Sequence, residues 1–392
     1  MAIPRVTHDF DTPVSRVGTA SLKYEARTTH FGTDDVVPLW VADMDFPAPE
    51  AVTSVLVERA QHTIYGYTDY PESLYVAMQH WFKHRHRWEI ARDSIVMCPG
   101  VVPSIYAAIT ALTEIGDKVI IQSPVYHPFY TAVKDTQRTL VENPLIFENQ
   151  HYRMDIEHLA ECAESGAKLL VLCSPHNPVG RVWQRAELEA LLLVTRRYDM
   201  TIISDDIHAD LIFPNQVHTP IATLADDVAI ITAVSPSKTF NIPGLGLSAI
   251  VANDKAQRQA IEQVFSSWHV SNTNPFSICG FEAAYQYGET WLDDLMPYLD
   301  ETRLAVKSYL ESTLPEIVLV ESEGTYLLWL DCRGMGLDDA DLHRFFIDQV
   351  KVAMSPGTLF GSEGAGFMRL NMAVPRVVIM NVLRAIRSAL SS

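Results

Sequence analysis

The stretch AVSPSKTFNIPG places Lys238 in a turn between two hydroxyl residues, Ser237 and Thr239, with Ser235 three positions before the lysine. An apolar run, VAIITAV, leads into it, and no other charged residue lies in the turn. An amine at the end of a buried strand is desolvated, which favours its neutral, nucleophilic form. Three more apolar runs end on unusual polar residues. VLCSPHNPVG carries Asn177 in a proline-rich turn, TIISDDIHAD carries Asp205, Asp206 and His208, and KVIIQSPVYHPFY presents Tyr126. MCPGVVPSIYAAI reads as strand, glycine turn and helix start, which leaves amide N–H groups and a positive dipole end for an anion.

Each residue has an ordinary explanation when taken alone. Lys238 could be a solvated turn residue, Asn177 a turn former and Tyr126 part of the core. Asp205 and Asp206 could cap a helix, a role that suits Asp206 better, and Ser235 and Ser237 could cap local backbone groups. His208 is as readily structural as catalytic. Together they amount to an anion site, two hydroxyls, an amine, a carboxylate, an amide and an aromatic ring. Pyridoxal 5′-phosphate uses all six. Its phosphate needs N–H and O–H donors, its aldehyde forms a Schiff base with lysine, and its ring nitrogen needs a carboxylate to stay protonated.

The elements that must position these residues follow from periodicity. The runs SIVMC, KVIIQS, KLLVLCS, TIISDD and VAIITAVS are continuous and apolar, and helical patterns such as RAELEALLLVTRRYD lie among them. That alternation predicts a mainly parallel sheet covered by helices on both faces, an α/β fold. Ligands of such sheets bind beyond the carboxyl ends of the strands, where the polar residues above fall. From about residue 288 the pattern changes to a long amphipathic helix, ETWLDDLMPYLDETRLAVKSYLEST, then TYLLWLDC, a helix around DDADLHRFFIDQ, and GFMRLNMAV. Two domains are expected: residues 51–287 as a large domain, and 1–50 with 288–392 as a smaller α+β domain.

Composition narrows the partners. A formal net charge of −18 argues against nucleic acid, which is bound through clustered Lys and Arg. The five cysteines are odd in number, scattered and mostly in apolar surroundings, so they read as buried thiols in a reducing compartment. The opening MAIPRVTHDFDTPVSR lacks the apolar core of a signal peptide, and a cytoplasmic protein is expected. Residues 94–113 are charge-free and long enough to span a bilayer, but Pro99, Gly100 and Pro103 make them strand, turn and buried helix. Two lookalike motifs are set aside. His80 and His84 have metal-compatible spacing without a carboxylate or cysteine beside them, and GLGLSA follows the lysine turn rather than a strand.

The chain resembles fold-type-I pyridoxal-phosphate enzymes of the class I/II aminotransferase superfamily, and within it the carbon–sulfur β-lyase branch of cystathionine β-lyases and cysteine desulfhydrases. The matching stretches run nearly end to end: LWVADMDFPAP, IYGYTDYP, GVVPSI, SPHNPVGRVW, SDDIHADLIF, SPSKTFNIPGL, EGTYLLWLD and GFMRLNMAVPR. The resemblance implies that Lys238 is the Schiff-base lysine and proton shuttle. It implies that Asp205 pairs with the ring nitrogen, Asn177 bonds the ring's phenolic oxygen and Tyr126 stacks on the ring. Ser235, Ser237 and the amides of Val101 and Val102 would hold the phosphate. Tyr67 would reach the phosphate of a neighbouring subunit, making the active unit a homodimer, with Tyr65 and Tyr70 close enough to compete for that role. Arg369 would fork onto the α-carboxylate of an amino-acid substrate.

Two departures from the aminotransferase pattern favour the lyase branch. His208 stands where many aminotransferases have a tyrosine that bonds the phenolic oxygen. No arginine follows the lysine in SPSKTFNIPGLGLSAIV, where many aminotransferases place one on the phosphate. The implied reaction is α-proton removal followed by loss of a sulfur group from the β-carbon, so that L-cystathionine or a cysteine thioether gives a thiol, pyruvate and ammonia. An aminotransferase on the same scaffold is the first alternative. A pyridoxal-phosphate-binding regulator acting through a partner is the second.

Overall fold

A computed structural model describes residues 8–270 and 274–391; the first seven residues of the opening stretch read above lie outside them. Seven strands form the main sheet: β1 (Ile95–Cys98), β2 (Lys118–Ile121), β3 (Thr139–Glu142), β4 (Ala167–Cys173), β5 (Thr201–Asp205), β6 (Ile230–Val234) and β7 (Ser248–Ala252). Their order is β1-β7-β6-β5-β4-β2-β3, and β7 alone runs antiparallel to its neighbours. The expected α/β fold-type-I architecture is therefore present. Helices such as Val101–Leu112 and Arg185–Arg197 connect the strands, and their apolar faces are buried.

The strands are apolar throughout because both faces are covered. Along β4, Leu170 and Leu172 join one core while Leu169, Val171 and Cys173 join another, the two-residue alternation of a pleated strand. Register then aligns the chemistry. Asp205 at the end of β5 pairs with Cys173 of β4 on one side and Ala233 of β6 on the other. Asn177 and Lys238 therefore leave adjacent strand ends on either side of Asp205.

The 25-residue helix Glu289–Thr313 leads to a second, antiparallel sheet of β8 (Val318–Leu319), β9 (Leu327–Asp331), β10 (Ser355–Pro356) and β11 (Phe367–Asn371), ordered β8-β9-β11-β10. Arg369 lies on β11, opposite Trp329 and Ser355. The early segment Val37–Pro38 pairs with the late segment Val352–Ala353. Just beyond, the main-chain carbonyls of 40–43 are all in use. Trp40 O accepts from Arg369, Ala42 O from Lys238 and Tyr326, and Val41 O and Asp43 O both accept from the Asn371 amide. The turn after β4 is tied to the second sheet's approach as well. Glu323 accepts from Arg181 Nε at 2.7 Å and from the Val182 amide at 2.8 Å, and its own amide donates to Gly180 O.

Candidate active site

A cavity of about 250 Å³ opens beyond the carboxyl ends of β4, β5 and β6. Lys238, Asp205, Asn177, Tyr126 and His208 line it, together with Ser235, Ser237, Val101 and Val102. These are the residues that spacing and resemblance brought together from five separate stretches. Arg369 stands behind Asn177, with Nη1 donating to Asn177 Oδ1 at 3.1 Å. Tyr67 is absent from this cavity and stands fully exposed.

The anion end is built by local chain geometry. Gly100 takes φ 152° and ψ 160°, a region open essentially to glycine, and starts the helix Val101–Leu112 directly behind it. The first-turn amides of a helix have no partner within it, so those of Val101 and Val102 are available to an anion. Ser237 adds a hydroxyl to the same wall, while Ser235 Oγ donates to Leu247 O and accepts from the Ser237 amide. Among the described lining residues Lys238 is the sole formal cation, in keeping with the missing arginine of the sequence.

Electrostatics favour an amine that reacts. Burial pushes the Lys238 amine down to about 8; Asp43 and Asp205 pull it up, and Arg369 pushes it lower. Its Nζ donates to Ala42 O at 2.5 Å. Asp205 is pushed up to about 7, first by burial and then by its neighbour Asp206, against the Ile207 amide and Lys238, which hold it down. A cation brought to its free carboxylate face would favour the ionised form. His208 is fully buried, its Nδ1 has no partner, and burial, with the charges of Lys238 and Arg369, pushes it down to about 3. It is a neutral imidazole, edge-on to the ring of Tyr326.

Arg369 is buried with Nη2 donating to Trp40 O at 2.8 Å and to Ser355 Oγ at 3.3 Å, while its Nε has no partner. An unpartnered, buried guanidinium donor is costly unless something occupies it. The donor set fits pyridoxal phosphate. Amides and a hydroxyl suit its phosphate, a low-pKa amine its aldehyde, an under-bonded carboxylate its ring nitrogen, and the Asn177 amide its phenolic oxygen.

The three candidate tyrosines of the arm separate by environment. Tyr65 donates to Ala60 O and stacks under Arg59, and Tyr70 packs beside Tyr75 with its hydroxyl buried. Tyr67 alone is uncommitted within its own chain. Sequence reasoning assigned no role to the Ala42 carbonyl or to Tyr326, whose hydroxyl shares it at 2.9 Å. A carbonyl carries no residue signature, whereas a phenol within the apolar run TYLLWL is a signal that was there to find.

Comparison with known proteins defines the class. Residues 34–386 match the family model described as aminotransferase class I and II, and the chain belongs to that family. Over 386 residues it is 40% identical to the protein named cystathionine beta-lyase PatB of Bacillus subtilis (strain 168), covering 98% of this chain and 100% of that one. Cystalysin from Treponema denticola, whose crystal structure contains a pyridoxal 5′-phosphate cofactor, superposes with a TM-score of 0.95 at 35% identity, covering 98% and 99% of the two chains. The pyridoxal-phosphate-bound C–S lyase from Staphylococcus hominis gives 0.91 at 31% identity, covering 99% of each.

Proposed function

We propose that this protein is a pyridoxal-phosphate-dependent carbon–sulfur β-lyase that splits L-cystathionine or related cysteine thioethers into a thiol, pyruvate and ammonia. The observation that carries the reading is the convergence of Lys238, Asp205 and Asn177 on one cavity with a helix start at its far end, and with Arg369, its Nε unpartnered, directly behind Asn177. The naming of PatB and of the Staphylococcus hominis C–S lyase supports elimination over amino transfer. So does a neutral histidine at 208 in place of tyrosine.

The cofactor, when bound, supplies an electrophilic carbonyl carbon and a ring that accepts the electrons of a broken Cα–H bond. The chain supplies the rest. Arg369, with its Nε unpartnered, would take the substrate α-carboxylate and so orient the substrate in the site. Lys238, neutral in part at working pH, accepts the α-proton at Nζ. Asp205 would hold the proton on the ring nitrogen, and Asn177, its Oδ1 engaged by Arg369, would have its Nδ2 donors left for the phenolic oxygen. The half-buried Tyr126 and the buried His208 form walls that limit water at the reacting carbon. The electrons of the Cα–H bond would then form a Cα=Cβ bond as the Cβ–S bond breaks with its pair on sulfur; the thiolate takes up a proton, and water converts the remaining three-carbon unit to pyruvate and ammonia.

The same reading divides the chain into 51–287 and 1–50 with 288–392. The main sheet within 95–252 and the pairing of Val37–Pro38 with Val352–Ala353 support that division. It makes the protein a cytoplasmic homodimer in which Tyr67 serves the neighbouring subunit, supported by that side chain's exposure. Among the described residues no helix is long and apolar enough to cross a membrane.

The test is purified protein mixed with L-cystathionine. Catalytic release of pyruvate and a free thiol is expected. Conversion of the cofactor to pyridoxamine phosphate without thiol release would make the protein an aminotransferase instead.

A further inference from the structure

Two buried carboxylates beside the site take no part in the chemistry above. Asp206 and Asp210 follow β5, and neither lines the cavity. Asp206 accepts from Ser204 Oγ and, at Oδ2, lies 2.9 Å from His218 Nε2, with both side chains almost fully buried. Asp210 lies 2.7 Å from His86 Nε2 and accepts from Trp81 Nε1 and Thr239 Oγ1. The two imidazoles meet edge to face, with centroids 5.6 Å apart. The result is a continuous buried row, Asp206–His218–His86–Asp210–Thr239, that starts one residue from Asp205 and ends one residue from Lys238.

Asp205 and Asp206 are consecutive, so two carboxylates are buried within one residue of each other. Neighbouring side chains at the end of a strand point to opposite faces, Asp205 to the cavity and Asp206 to His218. Like charges so close disfavour joint ionisation. Asp206 has two side-chain partners, whereas among the described residues the Asp205 carboxylate has only the Ile207 amide at 3.2 Å. Without an offset for Asp206, Asp205 is the one that would take up a proton. We propose that His218 is a positioning residue for Asp205: by holding and offsetting the Asp206 carboxylate, it leaves Asp205 ionised toward the ring nitrogen of the cofactor. This inference rests on the role proposed for Asp205 above.

The other groups facing Asp205 are Lys238, Tyr126 and Cys173. Behind His218 stand His86 and Asp210, the latter faced by Arg85 and Tyr285. The sign follows from these positions. Burial and the charge of Asp206 both raise Asp205, so loss of the histidine raises it further and loss of the Asp206 charge lowers it.

The test uses cofactor-loaded protein and two readouts, the pH titration of the cofactor absorbance and the acid limb of kcat/KM. His218→Gln, which replaces the imidazole beside Asp206 with a neutral amide, is expected to move both toward higher pH by about half a unit or more. Asp206→Asn is expected to move them the other way and tests the idea even if His218→Gln does not fold. His86→Gln breaks a matched buried pair that does not abut Asp205, and is expected to lower stability while the limb stays in place. The inference is overturned if His218→Gln titrates as wild type, if Asp206→Asn shifts upward, or if His86→Gln shifts the limb as far as His218→Gln. Wild-type protein that binds no pyridoxal phosphate would overturn the site reading itself, and the inference with it.

Discussion

Replacement of Arg369 by lysine separates recognition of the substrate from assembly of the cofactor site. The guanidinium is held by three fixed acceptors, Asn177 Oδ1 at 3.1 Å, Trp40 O at 2.8 Å and Ser355 Oγ at 3.3 Å. Its Nε remains buried without a partner. Lysine keeps the charge but gathers its donors on one nitrogen, which cannot grip Trp40 O and also present a fork to a carboxylate. One charge-assisted hydrogen bond is then lost, worth about 1.5–3 kcal/mol, or roughly a 10- to 150-fold loss in kcat/KM. Most of it should appear in KM, because the carboxylate is gripped in ground state and transition state alike. Arg369 does not line the cofactor cavity, so cofactor content should stay as in wild type. The assay is pyruvate release from L-cystathionine over a range of concentrations. A variant with full cofactor and a kcat/KM within about threefold of wild type, below the weakest loss just estimated, would refute the assignment.

Lys238→Ala should abolish both turnover and the absorbance of the lysine-bound cofactor; turnover at the wild-type rate would remove the lysine from the chemistry. In cofactor-free protein the amine is pushed down to about 8 by burial, so capture of added pyridoxal phosphate should quicken as pH rises through 8 and level off above it. Roughly a tenth of such an amine is neutral at pH 7, far more than in an unperturbed lysine, and capture that keeps accelerating to pH 10 would contradict the shift. Mixing inactive Lys238→Ala with weakened Tyr67→Ala should restore activity if Tyr67 serves a partner, and no recovery after subunit exchange would place it outside the site. Glu323→Ala leaves Arg181 buried with Glu187 as its remaining carboxylate, and should cost about 3 kcal/mol of stability in denaturant unfolding.

Much of this was legible in the sequence because parallel strands announce themselves. Buried on both faces, β1, β2, β4, β5 and β6 read as unbroken apolar runs, and each polar residue at their ends had to be explained. Strand β7 was harder: it begins just after the lysine turn in GLGLSAIVA and runs antiparallel, so the strand–helix alternation gave no warning of it. Edge strand β3, TLVE, is too short and too polar to stand out. The helix expected around DDADLHRFFIDQ is present but widens to a π-helical turn at Phe345–Val350, which no local residue signals. Within the site, roles carried by side chains could be read, while the Ala42 carbonyl could not, since every residue has one. The partnership of Asp206 with His218 escaped for another reason: it joins residues twelve positions apart across a loop, and Asp206 looked like a helix cap.

The row of carbonyls from Trp40 to Asp43 also sets an order of events during synthesis. Its partners are Lys238, Tyr326, Arg369 and Asn371, so the earliest-made wall of the site waits for almost the last-made strand. A nascent chain that has emerged only as far as the lysine turn has its amine but neither Arg369 nor the phenol that shares the Ala42 carbonyl. The carbonyl wall is therefore fully bonded only once β11 has been made, although every residue that lines the cavity lies between Ala42 and Leu247.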